Sequence, residues 1–193
     1  MAYSLKNLRK AAWIPLVLLS TFPDRASGSV NHFVEFAQSC GVTAVKGSAR
    51  VFSDNDKNRW KEYPAPNQVP ENTEWSENAY LWGKVGSPVA IDVEGLGEDF
   101  GDSTYYCFNA SGKLSSLEHD FRTAWGWGFA ERRELDSGGR ETAKSHFFSM
   151  KDRKEIPRPQ AADDVREAMT VKIYKRLSDV PFFLLLTQGT KAK

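Results

Sequence analysis

The sequence predicts an α+β domain with a curled antiparallel β-meander of about six to eight strands, an open sheet or a partly closed barrel, between a short N-terminal helix and a C-terminal helix. Apolar or alternating runs separated by turn residues fill residues 79–150, and apolar residues at helical spacing lie on both sides of that region. Parallel neighbours would need crossovers of about a dozen or more residues, so these closely connected strands are expected to be antiparallel.

A helix and an extended segment are predicted ahead of the meander. The apolar residues between Phe33 and Ala37 recur at helical spacing, and residues 42–52 favour an extended chain. Residues 55–78 are dense in proline, asparagine and glutamate. Because proline removes a backbone donor and disfavours helix before it, this stretch predicts a long surface segment.

Six runs predict the strands of the meander. Two of their separators, residues 109–113 and 136–140, place glycine where a hairpin needs a positive φ. The predicted strands are residues 80–82, 89–93, 104–108, 114–121, 125–135 and 142–150.

Residues 161–177 predict the C-terminal helix. Their apolar side chains form one stripe, with acidic residues in the first turn and basic residues in the last. The second half also suits a strand, because it contains Val171, Ile173 and Tyr174. The apolar run at residues 180–186 is expected to be buried in the body or at a partner surface.

The N-terminus has the order of a secretory signal peptide. Basic residues precede a short apolar stretch at residues 11–19, and polar residues and the small triplet 26–28 follow. We therefore predict a signal peptide at 1–28, a single globular domain at 29–193, and a secreted or periplasmic location. The apolar stretch is about half the roughly 18 residues of a transmembrane helix, so no stable membrane anchor is expected after cleavage. The alternative is the amphipathic N-terminal helix of a cytosolic protein.

The charge balance argues against a nucleic-acid partner. The 193-residue chain has 26 basic and 25 acidic residues, and removal of residues 1–28 changes its formal charge from +1 to −2. The expected partner is a small molecule or a protein of the cell envelope.

Cys40 and Cys107 are the only two cysteines. In an oxidising compartment such a pair can form a disulfide, but two buried free thiols fit the sequence equally well, because it gives no distance between them.

The segment 125–129 gives the strongest indication of a binding surface. In an extended chain Trp125, Trp127 and Phe129 line one face, while Gly126 and Gly128 leave the other face bare. This arrangement predicts either an aromatic platform for a ligand or a packed core with close approach of another chain segment.

His146 completes the candidate ligand-binding set of Trp125, Trp127, Phe129 and His146. It lies on the predicted partner strand and shares a face there with Phe148. The sequence leaves open which face of the neighbouring strand that pair adjoins.

No catalytic or metal-binding motif is present in the sequence. The histidines lack zinc-ligand spacing, the acidic glycine-containing stretch 94–102 would repel phosphate, and no catalytic residue, metal or cofactor is assigned. Within 114–121, alternation favours a half-buried His119 over a general base.

Three functions remain open from the sequence. The first is an exported, non-catalytic protein that binds a small ligand or a partner through an aromatic-lined curved sheet. The second is a cell-envelope hydrolase using paired carboxylates drawn from Glu94, Asp99, Asp102, Glu118 and Asp120. The third is a structural or interaction protein without a small-molecule site.

Overall fold

In the part of the chain that the structure describes, the strands form one open nine-stranded antiparallel sheet, in the order β2-β1-β3-β4-β5-β6-β7-β8-β9. The computed structural model of the chain describes residues 26–43, 49–54, 59–70, 77–97, 99–136 and 138–188. The strands are β1 (Arg50–Asp54), β2 (Trp60–Tyr63), β3 (Glu77–Gly83), β4 (Val89–Leu96), β5 (Phe100–Phe108), β6 (Leu114–Thr123), β7 (Trp127–Leu135), β8 (Glu141–Ser149) and β9 (Glu155–Ile156).

Among the described residues, two α-helices flank the sheet, α1 (Ala26–Ser39) and α2 (Phe183–Thr187). Three short 3₁₀ turns lie in the connecting segments of this part of the chain, Pro66–Gln68, Gln160–Ala162 and Leu177–Asp179. The α+β antiparallel meander between an N-terminal and a C-terminal helix is therefore confirmed.

The predicted hairpins form at their glycines. Gly112 and Gly139 both have positive φ, of 74° and 78°, in the connections between β5 and β6 and between β7 and β8. Glycine adopts this conformation without the steric cost that a Cβ atom imposes. None of the described residues of the expected surface segment 55–78 is buried, and they include β2 and a 3₁₀ turn.

Alternation along the strands gives the sheet two different faces. We call the side covered by residues 157–188 the C-terminal face, where Phe52, Ile91, Tyr106 and Leu117 are each at most 2% exposed. We call the opposite side the helix face, because α1 packs on it through Phe33 and other apolar residues.

The helix predicted at residues 161–177 is not formed, and this prediction is wrong. Consecutive turns at residues 163–169 follow the 3₁₀ turn at Gln160–Ala162, and the chain then has no regular secondary structure until the Lys113–Arg176 β-bridge. The Tyr106 hydroxyl donates to the Lys172 carbonyl at 2.6 Å, and the Leu114 amide donates to the Lys175 carbonyl at 3.0 Å. These bonds replace helical ones where β-branched and aromatic residues disfavour helix.

The C-terminal helix is instead the five-residue α2, which begins within the apolar run 180–186. Val180, Phe182 and Leu186 are buried against the C-terminal face, so the body buries part of this run. Leu184 remains 69% exposed.

The predicted signal peptide lies largely outside the described residues. Only its last three positions are described, and they begin α1. None of the helices in the described part of the chain is long and apolar enough to span a bilayer.

Candidate functional site

The tryptophans of the segment 125–129 occupy different environments. Trp127 and Phe129 lie on β7 and point to the C-terminal face, where Trp127 is 6% exposed and packs with Phe121. Trp125 lies in the turn between β6 and β7, and half of its surface is exposed. The two tryptophan ring centres are 6.3 Å apart. The segment therefore joins a core aromatic to an exposed one, instead of forming one continuous platform.

The two glycines of this segment also have different roles. Gly126 has a φ of 88°, so it permits the turn. Gly128 pairs with Phe148, whose ring fills the space above the glycine on the helix face. A Cβ atom at Gly128 would lie 2.7 Å from the Phe121 carbonyl oxygen. Thus a neighbouring side chain occupies the face that the sequence left bare.

His146 lies on the opposite side of the sheet from Trp127 and Phe129. It pairs with Ala130 and projects to the helix face, exposed and with its ring centre 6.1 Å from that of Phe148. The four predicted ligand residues therefore do not converge on one site.

A groove of about 550 Å³ lies between β7, β8 and the C-terminal segment. We call it the aromatic groove. Its apolar lining consists of Phe129, Phe147, Met169 and Val171, and the two phenylalanine ring centres are 5.2 Å apart. Phe129 is thus the one predicted ligand residue that lines this groove.

One wall of the aromatic groove carries two arginines on one carboxylate. Arg158 and Arg166 each donate from Nη2 to Oδ1 of Asp163 at 2.7 Å. These hydrogen bonds hold the pKa of Asp163 below its usual range. The Arg158 guanidinium carbon is also 5.5 Å from the Phe147 ring centre, within cation–π range.

Arg133 on β7 forms the other charged wall. It donates to Glu131 at 2.7 Å and to Glu141 at 2.6 Å, so two carboxylates balance its charge. Its Nε atom is buried and has no hydrogen-bond partner.

His119 is buried behind this region, on the same face as Phe129. Its Nδ1 atom lies 2.9 Å from the Thr104 hydroxyl, and its Nε2 atom is buried without a partner. Burial lowers the pKa of His119 to about 4, so the neutral form is favoured in the fold. The residue is more deeply buried than the half-buried position expected from alternation.

Several carboxylates of the expected catalytic pool meet on the helix face. The strand register places Glu94 and Asp120 on either side of Ser103, in one row across the sheet. Glu118 lies on the same face, two residues before Asp120 on β6. Asp92, which the pool did not contain, lies beside Glu94 and is 7% exposed. Asp99 lies in the exposed turn before β5, and Asp102 projects to the C-terminal face.

The pKa values of these carboxylates are shifted in different directions. Burial, reinforced by the charge of Glu94, raises the pKa of Asp92 well above its usual range, and burial also raises that of Glu94. Burial opposes ionisation of Asp120 as well, but hydrogen bonds and charge from Arg153 and Arg122 lower its pKa overall. Burial raises the pKa of Asp102 to about 6. Within the described ranges, no group of three or more potential ligand side chains has a metal-binding arrangement.

Cys40 and Cys107 lie at disulfide-bonding distance, with Cα atoms 5.7 Å apart, so the bonded alternative applies. The bond joins the end of α1 to β5. Earlier in α1, His32 donates a hydrogen bond to Glu118 at 2.9 Å, which raises the pKa of His32. These links fix α1 across the helix face.

Sequence patterns did not reveal the aromatic groove. Phe147 alternates on β8 with the predicted His146, so its position on the Phe129 face follows only from the pairing register. Arg158, Arg166 and Met169 belong to residues that the sequence assigned to a helix or its approach. Comparison with protein-family models, with curated proteins and with solved structures found no match for the chain.

Proposed function

We propose that the chain is an exported, non-catalytic protein that binds a small molecule in the aromatic groove. The observation that carries this proposal is the combination of volume and lining: about 550 Å³, with Phe129 and Phe147 adjoining arginine side chains. Small-molecule sites typically measure about 300–1,000 Å³ and combine apolar surface with a few polar groups.

The state of the groove carboxylates favours binding over proton transfer. Glu131 is paired with Arg133, and Asp163 with two arginines, which hold its pKa low. A general acid or base works best with a pKa near the operating pH, so a paired carboxylate with a lowered pKa suits a structural role.

Export rests on separate support. The N-terminal order of basic, apolar and small residues is typical of a signal peptide. A cysteine pair at disulfide distance is compatible with an oxidising extracytoplasmic compartment.

Filling the groove tests the proposed binding site. Thr170 lines the groove and is exposed, so Thr170→Trp should occupy the space without disturbing the core. We expect members of a panel of small aromatic and aliphatic compounds to raise the Tm of the wild-type protein and to leave that of Thr170→Trp unchanged. Thr142→Trp is the matched control, because Thr142 is exposed on the opposite face of β8. Equal ligand responses in wild type and Thr170→Trp would place binding elsewhere.

The helix face supports a second candidate, a hydrolase using carboxylates. The raised pKa of Glu94 would suit a general acid, and Asp120, kept ionised in the same row of the sheet, would suit a nucleophile or a stabiliser of positive charge. Hydrolysis of a panel of glycosides and esters, lost in both Glu94→Gln and Asp120→Asn, would support it. Turnover that survives both substitutions would exclude these residues as the catalytic pair.

A further inference from the structure

The two charged walls of the aromatic groove are not equivalent. Two carboxylates accept from Arg133, and one of them, Glu131, itself lines the groove. On the other wall, Arg158 and Arg166 share a single oxygen of Asp163. Positive charge is therefore in excess on the Arg158 wall, whereas Glu131 would repel an anion from the Arg133 wall.

The Arg158 wall also retains hydrogen-bonding capacity. A guanidinium has five N–H donors, and Arg158 and Arg166 each use one nitrogen in the hydrogen bonds to Asp163. The fork of remaining donors matches the geometry of a carboxylate.

The apolar surface lies directly beside this wall. The Arg158 guanidinium carbon is 5.5 Å from the Phe147 ring centre, and Phe129 continues the surface with its ring centre 5.2 Å beyond. An aromatic ring attached directly to a carboxylate would pack on the phenylalanines while its anionic group met the arginines.

From this charge complementarity we infer that the aromatic groove binds a small aromatic carboxylate, with Arg158 and Arg166 holding the carboxylate and Phe129 and Phe147 contacting the ring. The inference rests on the proposed binding function and specifies its ligand class.

Calorimetric titration of the full chain with 2-naphthoate and with the uncharged 2-naphthamide tests this inference. We expect 2-naphthoate to bind about tenfold more tightly than the amide, because charge-assisted hydrogen bonds favour the anion. In the double variant Arg158→Gln/Arg166→Gln, the tenfold preference for 2-naphthoate over 2-naphthamide should be lost.

A second double variant, Arg140→Gln/Lys151→Gln, controls for the loss of two positive charges. Both residues are exposed in turns that do not line the groove, so the preference for 2-naphthoate should persist. If the wild type bound both compounds with equal affinity and Thr170→Trp abolished this binding, the ligand class would be overturned but the binding function would stand. A preference retained in Arg158→Gln/Arg166→Gln would also overturn the ligand class. The proposed function itself would be contradicted if neither compound bound and if no compound of the panel gave a Tm response that Thr170→Trp abolishes.

Discussion

The two faces of the sheet are covered in different ways. On the C-terminal face, an irregular segment spreads over the sheet and buries a core that extends from Phe52 to Leu186. On the helix face, α1 covers a smaller apolar area around Tyr105 and Cys107. Beyond that area lie buried or half-buried carboxylates, including Asp92 and Glu94.

The C-terminal face buries more apolar surface, and the two faces enclose different ionisable groups: His119 and Asp102 on the C-terminal face, and Asp92 and Glu94 on the helix face. Burial of apolar surface is the dominant favourable term in folding, so the C-terminal face should contribute most of the stability. The carboxylates of the helix face cost free energy when they are buried and ionised, so that face should be sensitive to pH and to the attachment of α1.

The largest expected effect is that of Phe182→Ala on the C-terminal face. Phe182 is 1% exposed and stacks on Phe52 with ring centres 4.6 Å apart. Truncation of a buried phenylalanine leaves a cavity, so we expect a loss of about 4 to 5 kcal/mol in the free energy of unfolding. Urea denaturation measures the loss. Leu184→Ala, at an exposed position two residues further along, should change stability by less than about 0.5 kcal/mol. Equal losses in the two variants would contradict the assigned packing of the segment 180–186.

The disulfide gives the next largest effect, on the helix face. We expect Cys40→Ala/Cys107→Ala to lower the free energy of unfolding by about 3 to 4 kcal/mol, because the bond closes a loop with a sequence separation of 67. Hydrogen exchange should become faster mainly in α1, while amides of β6 and β7 near the C-terminal segment keep their protection. Uniform loss of protection across the sheet would show that α1 and the C-terminal face unfold together.

The sheet was predictable from sequence because its signals are local. Alternation, β-branched and aromatic residues, and Gly112 and Gly139 in hairpin turns each depend on a few neighbouring positions. The structure of the C-terminal segment could not be predicted in this way. Its charge pattern favoured a helix, whereas residues 171–174 favoured an extended chain. Hydrogen bonds to Tyr106 and Leu114, which are distant in sequence, decide between the two.

The candidate site was predictable only in part for the same reason. Phe129 follows from alternation on one strand, but its neighbour Phe147 follows from the register between β7 and β8. The wall formed by Arg158 and Arg166 depends on where an irregular segment packs. Such packing leaves no periodic pattern in the sequence, so the groove could be found only in three dimensions.

His119 tests the pH response of the C-terminal face. Its folded-state pKa of about 4 lies below the ordinary 6.5, so its contribution to stability is present above pH 6.5 and is lost as pH falls towards 4. When the pH falls from 7 to 4, the free energy of unfolding of the wild type should decrease by about 2 to 3 kcal/mol more than that of His119→Gln. Urea denaturation at both pH values measures it, with the exposed His146→Gln as control. Identical pH dependence in wild type and His119→Gln would contradict the buried neutral imidazole.

Asp92, on the helix face, should respond to pH in the opposite direction. Its folded-state pKa is raised, so its contribution to stability is complete below the ordinary value of 3.8 and is lost as pH rises through the folded pKa. Asparagine has no proton to lose, so we expect the free energy of unfolding of Asp92→Asn to rise relative to that of the wild type between pH 3 and pH 7. Urea denaturation at both pH values measures the change, with Glu134→Gln, at an exposed position on the same face, as the control. A relative fall between pH 3 and pH 7 would mean that the ionised carboxylate is stabilised in the fold, and the contrast between Asp92 and His119 would then be lost.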